Sequence, residues 1–292
     1  MPGKRTRQTG PQIVAVIALT MAIGVVAQSA ELKSPTVVAF DRYQRVAEST
    51  IQQEVASPDR FLHVFRGDGA DRDRIDRSLR RGDVVIERLR ATESGRRIDI
   101  PDGMIHHWIG SIFVPDVNLQ TAVSVLQDFD QHAALFKPNI AQSRVLERDG
   151  DRFRLALRFY MKKIVTVTVD TESVAEFTPR GPDRETSAIR SVRVNEVENP
   201  GTAQEREKPD GRGGGYMWRM HTYWRFLQRD GGTYIECEAL TLSRSIPTGL
   251  GWLIGPLVTS IPRDMLTSAL QATRRSLVAR SDEEHKVTSS HP

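Results

Sequence analysis

Hydrophobic positions along the chain follow a helical period before about residue 105 and a strand period after it. Phe40, Tyr43, Ala47 and Ile51 recur at helical spacing, with Val46 and Val55 flanking the stripe and Ser34-Pro35-Thr36 as a start signal. An amphipathic helix is predicted there. After Ser57-Pro58-Asp59 comes a short apolar stretch, Phe61 to Phe65, and then a segment dense in charge from Asp68 to Arg81 whose large apolar residues are Ile75 and Leu79. Opposite charges four apart, Asp73 with Arg77 and Asp76 with Arg80, suit a solvated surface helix. Gly82-Asp83 ends it, and Val84-Val85-Ile86 begins a strand.

From Ile105 the pattern turns to strands. His106 to Val114 reads as one, stopped by Pro115, and Val117, Thr121, Val125 and Phe129 then share a helical face as far as Lys137-Pro138. Ser143 to Glu147 begins the next strand, and Asp149-Gly150-Asp151 supplies the positive backbone angles of a hairpin turn. Beyond it Phe153, Leu155, Leu157 and Phe159 alternate with Arg152, Arg154, Arg158 and Tyr160, so one face is buried and the other wet. Further strands are expected over Ile164 to Val169 and Ala188 to Val197. Asn199 to Gly215, interrupted by prolines, charges and Gly213-Gly214-Gly215, reads as a mobile loop. It is no phosphate loop, because no Lys-Ser or Lys-Thr follows and a strand comes next.

Tyr216 to Leu227 and Thr233 to Ser243 form a hairpin across Asp230-Gly231-Gly232. The remainder to Arg280 is helical. A glycine-punctuated apolar segment, Leu250 to Leu257, leads into a helix beginning near Ser260, with Met265, Leu266, Ala269, Leu270, Thr273 and Leu277 on one face. Ser281 to Pro292 is a polar tail expected to fray.

Composition narrows the class. The chain has 292 residues, 39% hydrophobic and 27% charged, which excludes wholesale disorder and a multi-span membrane protein. Its single cysteine, Cys237, excludes an intramolecular disulfide and a multi-cysteine zinc site. The net charge of +4 invites a nucleic-acid or membrane-surface reading. Lys4, Arg5 and Arg7, however, precede an apolar run from Ile13 to Ala27, with no acidic residue before Glu31. That is the pattern of an export signal, shorter than the ~18 residues expected of a membrane span. Val25-x-Ala27 and Ala27-x-Ser29 both fit a cleavage site, and an uncleaved anchor in a thinned bilayer is the alternative. Cleavage lowers the charge from +4 to +1, and the nucleic-acid reading loses its support. The expected organisation is a signal over 1–30, an extension over 31–103, a main domain over 104–280 and a flexible tail over 281–292.

The strand before Val114-Pro115, the helical Val125 to Asp130 followed by Phe136-Lys137-Pro138, and the hairpin from Tyr223-Trp224-Arg225-Phe226 to Thr233-Tyr234 stand in a recognisable order. With Ile246-Pro247, Trp252, Pro256 and Pro262-Arg263, the chain from Ile105 to Arg280 resembles the START-like (SRPBCC, helix-grip) superfamily. The resemblance implies an α+β helix-grip fold: a curved antiparallel sheet wrapped around a long carboxy-terminal helix, here with an amino-terminal helical extension outside the core fold. It also implies a cavity between sheet and helix.

Trp218, Met220, Thr222, Trp224 and Phe226 alternate along one strand and so share a face. Large aromatic residues commonly line concave sites, and each methylene buried there contributes about 0.8 kcal/mol. The expected ligand-lining set is Tyr160, Trp218, Met220, Trp224, Trp252, Leu266 and Leu270. A filled core is the bland reading of the same residues. The opposite face, with Met217, His221, Tyr223 and Leu227, offers residues 31–100 a packing surface. Glycines 249, 251 and 255 around Trp252 are either a gate between sheet and helix or close-packing positions.

Catalytic signals are sparse. His106 and His107 are adjacent on a strand and point to opposite faces, so they cannot chelate one metal together. Asp128 and His132, four apart, form either an acid/base pair or a solvated ion pair. Cys237 alternates with Ile235 and Ala239, as a buried thiol would. Arg158, Tyr160, Trp224 and Glu236 are candidate polar anchors if they share a cavity. The expectation is an exported, non-enzymatic protein binding a hydrophobic small molecule or lipid, with no cofactor, no metal and no nucleic acid, and in transient contact with membranes. A cyclase-like or hydrolytic enzyme using the same cavity and an envelope interaction protein with a filled core are the alternatives. The oligomeric state is left open.

Overall fold

The alternating segments assemble into one antiparallel sheet of nine strands. The structure is a computed structural model that describes residues 29–162, 166–246 and 251–289, the side chains of 251–259 and 284–289 apart. The export-signal reading up to residue 28 and the strand start at Ile164 lie outside the described residues. In chain order the long strands are β1 (Val85–Arg88), β2 (Gly103–Pro115), β3 (Ile140–Asp149), β4 (Arg152–Lys162), β5 (Thr166–Pro179), β6 (Arg184–Glu198), β7 (Arg219–Arg229) and β8 (Gly232–Arg244). Their spatial order is β1-β2-β8-β7-β6-β5-β4-β3, and Arg206–Glu207 adds the ninth strand on β6. The helices are α1 (Ser34–Val55), α2 (Gly69–Arg80), α3 (Leu119–Gln127), α4 (His132–Leu135) and α5 (Gly251–Ser289). Sheet, short helices between β2 and β3, and a long terminal helix make an α+β helix-grip fold.

The terminal helix is longer than the sequence suggests. It runs unbroken from Gly251 instead of starting near Ser260, and it continues to Ser289 past the expected fraying point. Packing carries the helix past Arg280. Ser281 is buried, and its hydroxyl donates to the Asp116 carbonyl at 3.2 Å. Arg274 Nε donates to the Phe113 carbonyl at 3.2 Å. At Gly110 a β-carbon would lie 2.5 Å from both Leu270 Cδ1 and Ile86 Cδ1, so glycine is what lets α5 sit close on β2. This half of the grip is solid: Ile112, Val114, Phe226, Ile235 and Leu277 have essentially no exposure.

The extension covers the other face of the sheet. Phe40, Tyr43 and Ala47 of α1 are buried, as the spacing predicts, and Phe40 and Tyr43 pack with Leu240 and Leu242 of β8. Leu79 of α2 joins Phe61, Phe65, Phe113, Leu227 and Tyr234 in a second apolar cluster. The Asp76–Arg80 pair closes at 2.7 Å, and Arg80 also bonds the Tyr234 hydroxyl at 3.1 Å, tying the charged helix to β8. The segment from Val85 to Arg88 then joins the sheet as β1 beside β2.

Between these apolar clusters lies a buried ionic network. Arg225 on β7 is 1% exposed. Its guanidinium meets Glu236 at 2.8 Å, Glu54 of α1 at 2.9 Å and Glu238 at 3.0 Å. Glu236 accepts further bonds from the His63 and Val64 amides and the Ser111 hydroxyl, each at 3.0 Å. Glu238 reaches His107 Nε2 at 2.7 Å, and Glu54 reaches His63 Nδ1 at 2.7 Å. Burial works to raise the Glu54 carboxyl, but its bond to His63 and the nearby Arg225 hold it below the usual range. Farther along the same face, over β4 to β6, a more open ladder runs through Arg154, Glu172, Arg193 and Glu207 at 2.7–3.2 Å.

Removing one partner from a buried charge network leaves the others uncompensated, at a cost of about 3–5 kcal/mol. Arg225→Met is therefore expected to destabilise the protein by that order, measured by urea unfolding. A loss below about 1 kcal/mol, the range of exposed pairs, would show that the network is solvated.

Candidate functional site

The inner face of the sheet, α5 and the α3–α4 segment enclose a cavity of about 270 Å³. That lies near the lower edge of the roughly 300–1,000 Å³ of small-molecule sites. Its walls are mainly apolar. Leu126 and Phe129 come from the helical segment, Phe159 and Phe177 from β4 and β5, Trp224 from β7, and Leu266 from α5. The cavity occupies the end of the grip opposite the solid packing at Ile112, Phe226 and Leu277.

Strand alternation explains which predicted residues arrive there. Met220, Thr222 and Trp224 share the inner face with Cys237, Ala239 and Thr241 of the paired strand, and all six line the cavity, as does Leu266. Trp218 does not. Its amide donates to the Leu242 carbonyl at 2.7 Å although Leu242 is already the register partner of Arg219, so two residues face one as in a bulge. The alternation breaks, Trp218 packs with Phe40, Tyr43, Leu240 and Leu242 under the extension, and Met217 takes the place on the cavity wall. The sequence had assigned these two neighbours to the opposite faces.

Tyr160 is also misplaced by the expected set. It stands on the outer face of β4 with Arg158, whose guanidinium bonds Asp170 at 2.7 Å. Leu270 packs over Gly110 in the solid part of the grip and does not reach the cavity. The side chain of Trp252 lies outside the described residues. The proposed anchors Arg158, Tyr160, Trp224 and Glu236 therefore do not meet, because only Trp224 faces inward.

Sequence reasoning missed the loop that forms part of the rim. The carboxy-terminal part of the Asn199–Gly215 loop, expected to be mobile, is tied to the fold: Arg212–Gly213 pairs with Ala30–Glu31, and the buried Glu196 carboxylate accepts the Gly214 and Tyr216 amides. Gly213 has φ 134°, and a β-carbon there would lie 2.3 Å from Glu196 Oε2. Gly215, Tyr216 and Met217 are thereby placed on the cavity wall. The triple glycine was the available signal.

Two histidines face the cavity. His106 Nε2 lies 3.0 Å from Ser243 Oγ, while His107 turns to the outer face, as adjacent strand residues must. His132 donates Nε2–H to the Leu126 carbonyl at 3.1 Å and packs between Phe129 and Phe136. Asp128 is exposed, so His132 forms neither of the pairs expected with it. Burial pushes both imidazoles down to about 4, and they stay neutral near pH 7. Burial likewise raises the Cys237 thiol, which makes it a poor nucleophile. Among the described residues, no Asp, Glu or Lys lines the cavity.

Scans of protein families and of curated proteins found no match to this chain. Solved structures with a similar arrangement include TTHA0849 from Thermus thermophilus, at 18% identity over 59% of this chain and 97% of that one, with a TM-score of 0.42. The ZhuI aromatase/cyclase from Streptomyces sp. R1128 has 14% identity, covers 61% of this chain and 94% of that one, and has a TM-score of 0.42. A STAR-related lipid transfer protein from Xanthomonas axonopodis has 16% identity, covers 65% and 98%, and has a TM-score of 0.40.

The buried histidines set an acid limit. His106, His132 and His221 each fall from an ordinary 6.5 to about 4 in the folded protein. The unfolded chain thus takes up these protons first, so stability is full above about pH 6.5 and declines as pH falls toward 4. Urea midpoints are expected to drop between pH 7.5 and 5, and His132→Phe to shallow that slope. A flat profile over this window would contradict the burial of these rings.

Proposed function

We propose that the protein binds a small hydrophobic molecule in the cavity between sheet and terminal helix and performs no chemistry on it. The observation that carries this reading is the lining itself: apolar walls, and no Asp, Glu or Lys on them among the described residues. An acid/base mechanism needs a proton donor or acceptor tuned near the working pH. Both imidazoles here are held neutral, and neither has a carboxylate partner. Among the described residues the wall offers no carboxylate or lysine for a cyclase-like or hydrolytic enzyme, and the open volume favours a bound molecule over a filled core.

We further propose that the protein is exported, on the strength of Lys4, Arg5 and Arg7 followed by the apolar run from Ile13 to Ala27. An apolar ligand outside the cytoplasm is available chiefly at membranes, which fits collection by transient membrane contact. Among the described residues, no helix is long and apolar enough to cross a membrane.

Native mass spectrometry of the purified protein, followed by solvent extraction, tests the binding reading. A single apolar molecule is expected per chain, and Ala239→Phe, which fills the cavity from β8, is expected to abolish it while the fold persists by circular dichroism. Retention of the same molecule in that variant would place it elsewhere and overturn the reading.

A further inference from the structure

The polar side chains of the cavity are organised. Strand register sets His106, Thr241, Met220, Ser191 and Ser173 in one row across β2, β8, β7, β6 and β5, with Ser243 two residues beyond Thr241 on the same face. Three of these hydroxyls are engaged with the backbone. Thr241 donates to the His106 carbonyl at 3.3 Å, and Ser191 accepts the Met220 amide at 3.0 Å. Ser243 Oγ bonds both the Arg244 carbonyl at 3.3 Å and His106 Nε2 at 3.0 Å, and His106 Nδ1 is left with no partner. His106 is 3% exposed. Among the described residues of the cavity wall, it is the one side chain with a buried polar atom left unpaired.

Buried polar groups in folded proteins are nearly always paired, so an orphan on a cavity wall marks a place where a ligand atom belongs. The tautomer does not change the requirement. When Nε2–H donates to Ser243, Nδ1 is a bare acceptor, and when Ser243 donates to Nε2, Nδ1 carries a lone N–H. A hydroxyl is a small neutral group that serves either case. A charged head group is disfavoured, since a desolvated carboxylate or ammonium needs an opposite charge. Arg244, which also lines the wall, is itself engaged in an interaction. We infer that the ligand, on the binding reading above, is an uncharged apolar molecule carrying a hydroxyl group that seats at the His106–Ser243 pair.

Three probes of one chain length test this on the full chain by titration calorimetry: decanol, methyl decyl ether and decanoate. Decanol is expected to bind about tenfold tighter than either of the others, the equivalent of one hydrogen bond. His106→Phe is expected to reduce decanol to the level of the ether without weakening the ether. Ser243→Ala, a smaller change that serves if the first variant fails to fold, is expected to narrow the same preference. Equal binding of all three probes, tightest binding of decanoate, or an undiminished alcohol preference in Ser243→Ala would each overturn this inference and leave the cavity as a binding site. Binding of none would overturn both.

Discussion

A guanidinium with 1% exposure in the middle of a sheet is tolerable only when carboxylates surround it, and Arg225 obtains one of its three from outside the sheet. Glu236 and Glu238 lie across the hairpin, but Glu54 is on α1, and the backbone amides that complete Glu236 belong to His63 and Val64. The sheet and the extension therefore satisfy each other. Stripping residues 31–80 away would expose Leu240, Leu242, Leu227 and Tyr234, and would also return a set of buried charges to water unpaired with their fourth member. The extension is in this sense a wall of the fold and not an ornament on it.

Covering the outer face has an effect on the inner one. An antiparallel sheet commonly packs one face and wets the other. Here both faces of β2, β8 and β7 are buried, and the strands are fixed from behind while α5 is fixed in front by Gly110, Arg274 and Ser281. The cavity is the part of the inner face that this double packing leaves open. Much of its apolar character comes from the helical segment and β4–β5, and its polar row starts at His106, Thr241 and Ser243 on strands that the extension holds in place and crosses to Ser191 and Ser173 beyond them.

Much of this was legible in the sequence. Period-two runs gave the strands, Asp-Gly marked the hairpins, and the Phe40, Tyr43 and Ala47 spacing gave α1 and its buried stripe. Alternation also carried Met220 and Trp224 to the correct face. It failed at Trp218, because a bulge at the strand entrance is a register event with no signature in hydrophobicity. Leu270 was misassigned for a different reason: a helix face is read from spacing, but how deeply each turn sits depends on Gly110, a residue on another element. The ionic network was hidden because Arg225, Glu236 and Glu238 fall at positions that in a half-wet hairpin face water. The available clue was Tyr223, Leu227, Leu240 and Leu242 on that same side, which already implied a cover.

The molecule carries two kinds of ion pair, and dissolved salt acts on them differently. Screening works through solvent, over a Debye length of about 8 Å at physiological ionic strength. The Arg225 network offers solvent almost no access, whereas in the ladder over β4 to β6 Arg154 and Arg193 keep about half of their side-chain surface exposed. Ionic strength therefore loosens one side of the sheet and spares the other. The salt-sensitive strands are those whose inner faces supply Phe159, Phe177 and Ser173 to the cavity, so the ionic medium reaches the ligand-facing wall from behind, while the buried Arg225 core of the joint between sheet and extension is spared.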